Sequence, residues 1–88
     1  MENAENCAER KVQMLVLERR DESRNIARFY VLAIEPTLFG DSALVREWGR
    51  IGTWGRRRLD LYAAAEASAE ALDAWLARKE RRGYRRTA

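Results

Sequence analysis

The stretch Leu44-Val45-Arg46-Glu47-Trp48-Gly49-Arg50-Ile51-Gly52-Thr53-Trp54-Gly55 decides the fold. It alternates apolar and polar residues, sets two tryptophans among arginines and closes in a glycine-punctuated turn, the pattern of a hairpin strand and its turn. Working outward, Arg56 to Tyr62 (R-R-R-L-D-L-Y) is the strand that returns from the turn, and Ala43 to Ile51 is the strand that enters it. Parity assigns the faces, because side chains alternate across a strand and a one-residue slip exchanges the two sets. If Leu59 and Leu61 share a face with Val45, Gly49 and Ile51, then Arg46, Trp48, Arg50, Arg56, Arg58 and Asp60 share the other. One surface is then both aromatic and basic.

Upstream, Val12 to Arg19 and Ile26 to Ile34 read as two further strands joined by the polar connection Arg20 to Asn25. The second is apolar on both parities and belongs in the middle of a sheet. Pro36, Gly40 and Asp41 break the pattern before Ala43, since proline lacks a ladder donor. Downstream, Ala63 to Arg82 has helix-forming composition, with Ala65, Ala69, Leu72, Trp75 and Leu76 at three-to-four spacing. Acidic residues lie near its start and basic ones at its end, as the helix dipole favours, and Gly83 is the expected stop. Tyr84 to Ala88 either adds a short strand or trails off as a basic tail. The expected fold is α+β: an antiparallel sheet of four to five strands with one α-helix packed across one face. The helix is expected to bury Leu59 and Leu61 against Leu72, Trp75 and Leu76, leaving the opposite face of the first two strands to the N-terminal arm or a second copy.

Trp48-Gly49-Arg50, with Arg46 before it, Ile51-Gly52 after it and Pro36-x-Leu38-Phe39-Gly40 upstream, resembles the signature of the WGR domain family. The resemblance spans roughly residues 26 to 85 and implies a module found in poly(ADP-ribose) polymerases and in small stand-alone bacterial proteins. Met1 to Lys11 has no hydrophobic period and reads as a flexible arm, so the chain is expected to divide into that arm, 1–11, a single WGR-like domain, 12–85, and a tail, 86–88. In the DNA-damage-activated polymerases the motif tryptophan abuts the terminal nucleotide at a strand break, and the matching residue is Trp48. Their motif arginine organises neighbouring domains; with no such domain in this chain, direct phosphate contact is the expectation for Arg50.

Composition sets the outer limits. The 88 residues are 47% hydrophobic and 35% charged, which suits one small globular domain. No apolar run approaches the roughly 18 residues of a membrane span, and the acidic start is unlike a signal peptide, so a cytoplasmic protein is expected. A single cysteine, Cys7, excludes an internal disulfide, and the absence of histidine removes the usual triads and proton shuttles. The carboxylates show no spacing that gathers them, and the glycines lie in a hairpin rather than in a phosphate loop. Catalysis, a metal site and a cofactor are therefore not expected.

Charge is uneven along the chain. Residues 1–44 carry six Lys/Arg and eight Asp/Glu, net −2, whereas residues 45–88 carry eleven and six, net +5. Fifteen of the seventeen cations are arginine, which fits phosphate and stacks on aromatic rings better than lysine does, although a genome-wide bias would give the same excess. The candidate nucleic-acid-binding residues are Trp48, Arg50, Arg46, Arg56, Arg58 and Trp54. Trp48 would stack on a base or sugar while the arginines hold phosphates, DNA being the favoured ligand and ends or breaks the preference implied by the family. Trp54 is either an exposed second platform or folded back over the hairpin. The competing reading is a protein-interaction or homodimerisation module with a structural Trp48, and delivery of a partner enzyme to nucleic acid is a further candidate.

Overall fold

The computed structural model describes residues 13–87. The expected arm, 1–11, lies outside them. Five strands, β1 (Gln13–Asp21), β2 (Ile26–Pro36), β3 (Ser42–Arg50), β4 (Arg56–Tyr62) and β5 (Arg85–Arg86), form one antiparallel sheet in the order β4-β3-β2-β1-β5. One helix, α1 (Ala65–Arg81), packs against it. The α+β architecture therefore stands, and β2 sits at the centre of the sheet, as its apolar character on both parities requires.

Connections follow from local chemistry. A single 3-10 turn, Glu22–Arg24, joins β1 to β2 and ends at Asn25, the one non-glycine among the described residues with a left-handed backbone; asparagine tolerates that conformation. β3 turns into β4 through Gly52 to Gly55, where both the amide and the hydroxyl of Thr53 donate to the Arg50 carbonyl at 3.0 and 2.8 Å. The start of α1 is tied to the start of β3 by the buried contact between the Ser42 and Ser68 hydroxyls, 2.7 Å apart. At the other end the Gly83 and Tyr84 amides bond back to the Glu80 and Lys79 carbonyls at 3.0 and 3.1 Å, and Tyr84 turns into the core. β5 then pairs with Leu17 and Glu18 of β1, so the segment after the helix becomes a short edge strand.

The face assignment by parity is correct: Val45 lies opposite Leu59 and Ala43 opposite Leu61, while Trp48 lies opposite Arg56 and Arg46 opposite Arg58. The helix, however, covers the other face from the one expected. Its Leu72 joins Leu17, Tyr30, Leu32, Ile34 and Leu44, with Trp48, Trp75 and Leu76 packed around them, whereas Leu59 and Leu61 stay 48% and 60% exposed. The physical reason is area. Two leucines on β4 are outweighed by the larger apolar set that β1, β2 and β3 present on the opposite parity, and burial goes where most apolar surface leaves water. The helix thus lies over the aromatic and basic face, and that displacement builds the cleft described next.

Candidate nucleic-acid interface

Successive rows cross the sheet on the helix side. Leu17, Tyr30, Trp48 and Arg56 face one another along β1, β2, β3 and β4, and the next row outward is Arg19, Arg28 and Arg50. Cross-strand neighbours have Cβ atoms only about 5 Å apart, and like charges directly opposite are destabilising. Arg28, with an arginine opposite it on either side, is therefore a standing cost to the fold. Facing them from the helix end are Lys79 and Arg82, with the Tyr84 ring between helix and sheet. Together these residues enclose a cleft of about 410 Å³ floored by Tyr30, Trp48 and Gly49. None of the described residues that line it is acidic, and none of its five cations lies within ion-pair distance of a carboxylate among the described residues. Arg50 reaches only the Asn25 side-chain oxygen, at 3.5 Å.

The aromatic floor is a cluster of packed rings. Tyr30 stacks on Trp48 at 5.8 Å and on Trp75 at 6.4 Å between ring centroids, and meets Tyr84 edge-on at 6.1 Å. The Lys79 ammonium stands 4.4 Å from the Tyr30 ring centroid and 5.6 Å from that of Tyr84. Burial, and then the Arg82, Arg78 and Arg46 guanidiniums, hold the Lys79 pKa below its ordinary value. A positive field of that kind attracts anions.

Arg46 is placed differently from the other arginines. Only 8% exposed, it lies beneath Trp75, with its guanidinium carbon 4.1 Å from that ring centroid and 5.6 Å from the centroid of Trp48. It donates to the Tyr30 hydroxyl at 3.2 Å and to Asp60 at 3.4 Å, while its Nε has no partner among the described residues. Arg46 therefore holds the aromatic rings that floor the cleft. Arg46→Ala is expected to destabilise the domain by about 2–4 kcal/mol, by leaving a void between the rings and a bonded group unpaired. Arg46→Met should recover most of that loss, because it refills the volume; the thermal midpoints of the two variants measure the difference.

Of the residues singled out in the sequence, Trp48 and Arg50 line the cleft and Arg46 braces it from beneath. Arg56 lies opposite Trp48 on the same face. Arg58 is bound to Asp60 at 3.4 Å near the sheet edge. Trp54, 97% exposed at the turn, stands free rather than folding back. Arg19, Arg28 and Tyr84 were not among the residues expected to bind, and Lys79 and Arg82 were legible only as part of the basic run Arg78 to Arg86, a source of nonspecific attraction. The signal for Arg19 and Arg28 was present, since a hairpin closed tightly at Asn25 sets them opposite each other; that for Lys79 and Arg82 needed the side of the sheet on which the helix lies.

The fold and the cleft define a small antiparallel module with an aromatic floor and a cationic rim. The chain belongs to the WGR domain family, whose family model matches residues 13–88; WGR domains are modules of the nucleic-acid-binding type. It is 46% identical over 71 residues to the protein y4dW of Sinorhizobium fredii (strain NBRC 101917 / NGR234), itself uncharacterized. That alignment takes in 81% of this chain and 35% of the relative, so the chain spans about a third of the relative's length. No solved structure matches it.

Membership also explains the motif tripeptide physically. Trp48 and Arg50 point to the cleft, while Gly49 lies on the opposite face of β3, where a Cβ would stand 2.6 Å from the Gly55 Cα. The glycine admits the returning turn, which presses on the back of the strand that carries the two cleft-lining residues.

Proposed function

We propose that the chain is a non-catalytic DNA-binding module that takes a strand end or break into this cleft. The observation that carries the reading is the row Arg19, Arg28 and Arg50, three opposed cations beside a tryptophan with no carboxylate among the described residues to relieve them. A fold tolerates such repulsion where a ligand neutralises it, and phosphates are the anions that arginine forks fit best. The exposed part of Trp48 offers a sugar or base a stacking surface. Arg56 extends the cationic track along the Trp48 row, and Trp54 is placed as a second, more distant platform. Arg50 contacts phosphate in this reading, Arg46 holds Trp48 in position, and Arg58 lies outside the phosphate track. A cleft of about 410 Å³, closed on one side by the helix end, suits a terminus better than a continuous duplex, in keeping with the position that the family's motif tryptophan takes at a break.

The test is fluorescence anisotropy of a labelled dumbbell duplex with one 5′-phosphorylated nick, against the same dumbbell fully ligated, at two salt concentrations. Wild type is expected to bind the nicked form more tightly. Trp48→Ala should lose roughly 10-fold to 100-fold of that binding, the equivalent of about 1–3 kcal/mol of stacking, with a circular dichroism spectrum that shows the fold retained. Equal, weak binding of both DNAs, seen only at low salt, would defeat the end preference and leave nonspecific attraction.

A further inference from the structure

β4 forms one edge of the sheet and has no neighbour on its outer side among the described residues. An edge of seven residues with two exposed leucines is a template for another strand unless something blocks it. We propose that the occupant is β4 of a second copy, paired antiparallel about a two-fold axis that passes midway between the two Leu59 residues.

Overlap and charge together select that register, since Leu59 is the midpoint of Arg56–Tyr62 and only centring there pairs all seven residues of the strand. Centred on Leu59, the pairing sets Arg58 opposite Asp60 of the partner subunit and Asp60 opposite the partner's Arg58, so that the Arg58–Asp60 pair within each chain, 3.4 Å, extends into a four-membered alternation of charge, with Leu59 facing its own counterpart. Centred on Asp60 or on Arg58 it would set like charges directly against each other. The two other arginines of the strand do not oppose it: Arg57 has Glu47 of its own chain at 3.7 Å, and Arg56 falls opposite the partner's Tyr62, an aromatic surface that a guanidinium can cover. On the face away from the helix, the row Met14, Ala33, Val45 and Leu59 then runs on through the partner's Leu59 and Val45. Leu59, left half exposed on β4, thus gains a partner of its own kind, and Leu61 comes to lie against the aliphatic stem of the partner's Arg57.

Geometry adds a consequence. A two-fold axis that pairs antiparallel edges stands perpendicular to the sheet, so both helices and both clefts lie on one side of a continuous ten-stranded sheet. From strand spacing and rise, the two Trp48 positions stand about 25 Å apart. The pairing itself rests on β4 and not on what the cleft binds.

The test is disulfide trapping in a Cys7→Ser background. Directly opposed residues in an antiparallel pair have Cα atoms about 4.5–5.5 Å apart, within disulfide range. Leu59→Cys is therefore expected to cross-link to itself under mild oxidation. Arg57→Cys and Leu61→Cys should each fail alone, their own counterparts lying about 13 Å away, and should cross-link when mixed. Wild type should sediment as a dimer and Leu59→Lys as a monomer with an unchanged circular dichroism spectrum. A wild-type monomer at tens of micromolar, with the edge left to some other polypeptide or to none, overturns the proposal, as does self-linking of Arg57→Cys as fast as that of Leu59→Cys.

Discussion

Gly55→Ala is expected to remove most of the domain's stability at 25 °C. Gly55 has φ +72°, a conformation that an L side chain adopts only with strain, and a Cβ there would run into the Trp48 carbonyl, with Phe29 Cζ at 2.8 Å and the Trp48 carbonyl carbon at 2.9 Å. Neither neighbour can yield cheaply, since one is strand backbone and the other a ring already packed against the turn. Strain and overpacking together should cost about 3–5 kcal/mol, most of the stability that a domain of this size has. Gly49→Ala meets the same contact from the other side, with Gly55 Cα at 2.6 Å and Phe29 Cε2 at 3.4 Å, and should be nearly as damaging. Because both substitutions force the same two backbones apart, their combination should cost less than the sum of the two. Gly52→Ala is the control. Its φ of +96° carries strain, but nothing stands within 4 Å of the added carbon, so a loss of about 1 kcal/mol is expected. Urea unfolding followed by circular dichroism measures all three, and a Gly55→Ala protein as stable as wild type would show that the turn does not bear on β3.

Arg28→Glu is expected to separate folding from binding by moving them in opposite directions. Arg28 stands between Arg19 and Arg50, and a carboxylate there converts two like-charge neighbours into two opposite-charge pairs. Each such cross-strand change is worth about 0.2–1 kcal/mol, so the variant should unfold at an equal or higher temperature than wild type. Nucleic-acid affinity should instead fall tenfold or more, and the slope of log K against log salt should become shallower by about 1, the signature of one lost phosphate contact with its released counterion. A stabilising substitution that destroys binding cannot be explained by damage to the fold. Unchanged affinity together with higher stability would mean that the arginine row is an unrelieved surface cost and that the cleft takes no phosphate.

Much of this molecule could be read from its residues in order. Strand parity in Leu44 to Gly55 correctly separated the aromatic, basic set from the set containing Leu59 and Leu61, because alternation is a local property of an extended chain. The stop at Gly83, the central position of β2 and the presence of one helix were legible for the same reason: each depends on a few neighbouring residues. The tripeptide at 48–50 pointed to the family that the chain belongs to. The face under the helix was not legible from β4 alone, since it is settled by the summed apolar area of Leu17, Tyr30, Leu32, Ile34 and Leu44, contributed by three strands distant in sequence.

The candidate site divides along the same line. Trp48 and Arg50 were visible as residue types on one parity, yet Arg46, with the same parity and the same charge, proved to be a buried brace because Trp75 closes over it. Arg19 and Arg28 were ordinary strand arginines until pairing aligned them with Arg50, and Lys79 and Arg82 were an ordinary basic helix end until the helix lay across that row. Sequence alone determined which residues alternate, turn and carry charge, since those are properties of nearest neighbours along the chain. Only the tertiary structure decided which cations converge and which is spent inside, because convergence is set by strand register and by where the largest apolar area could leave water.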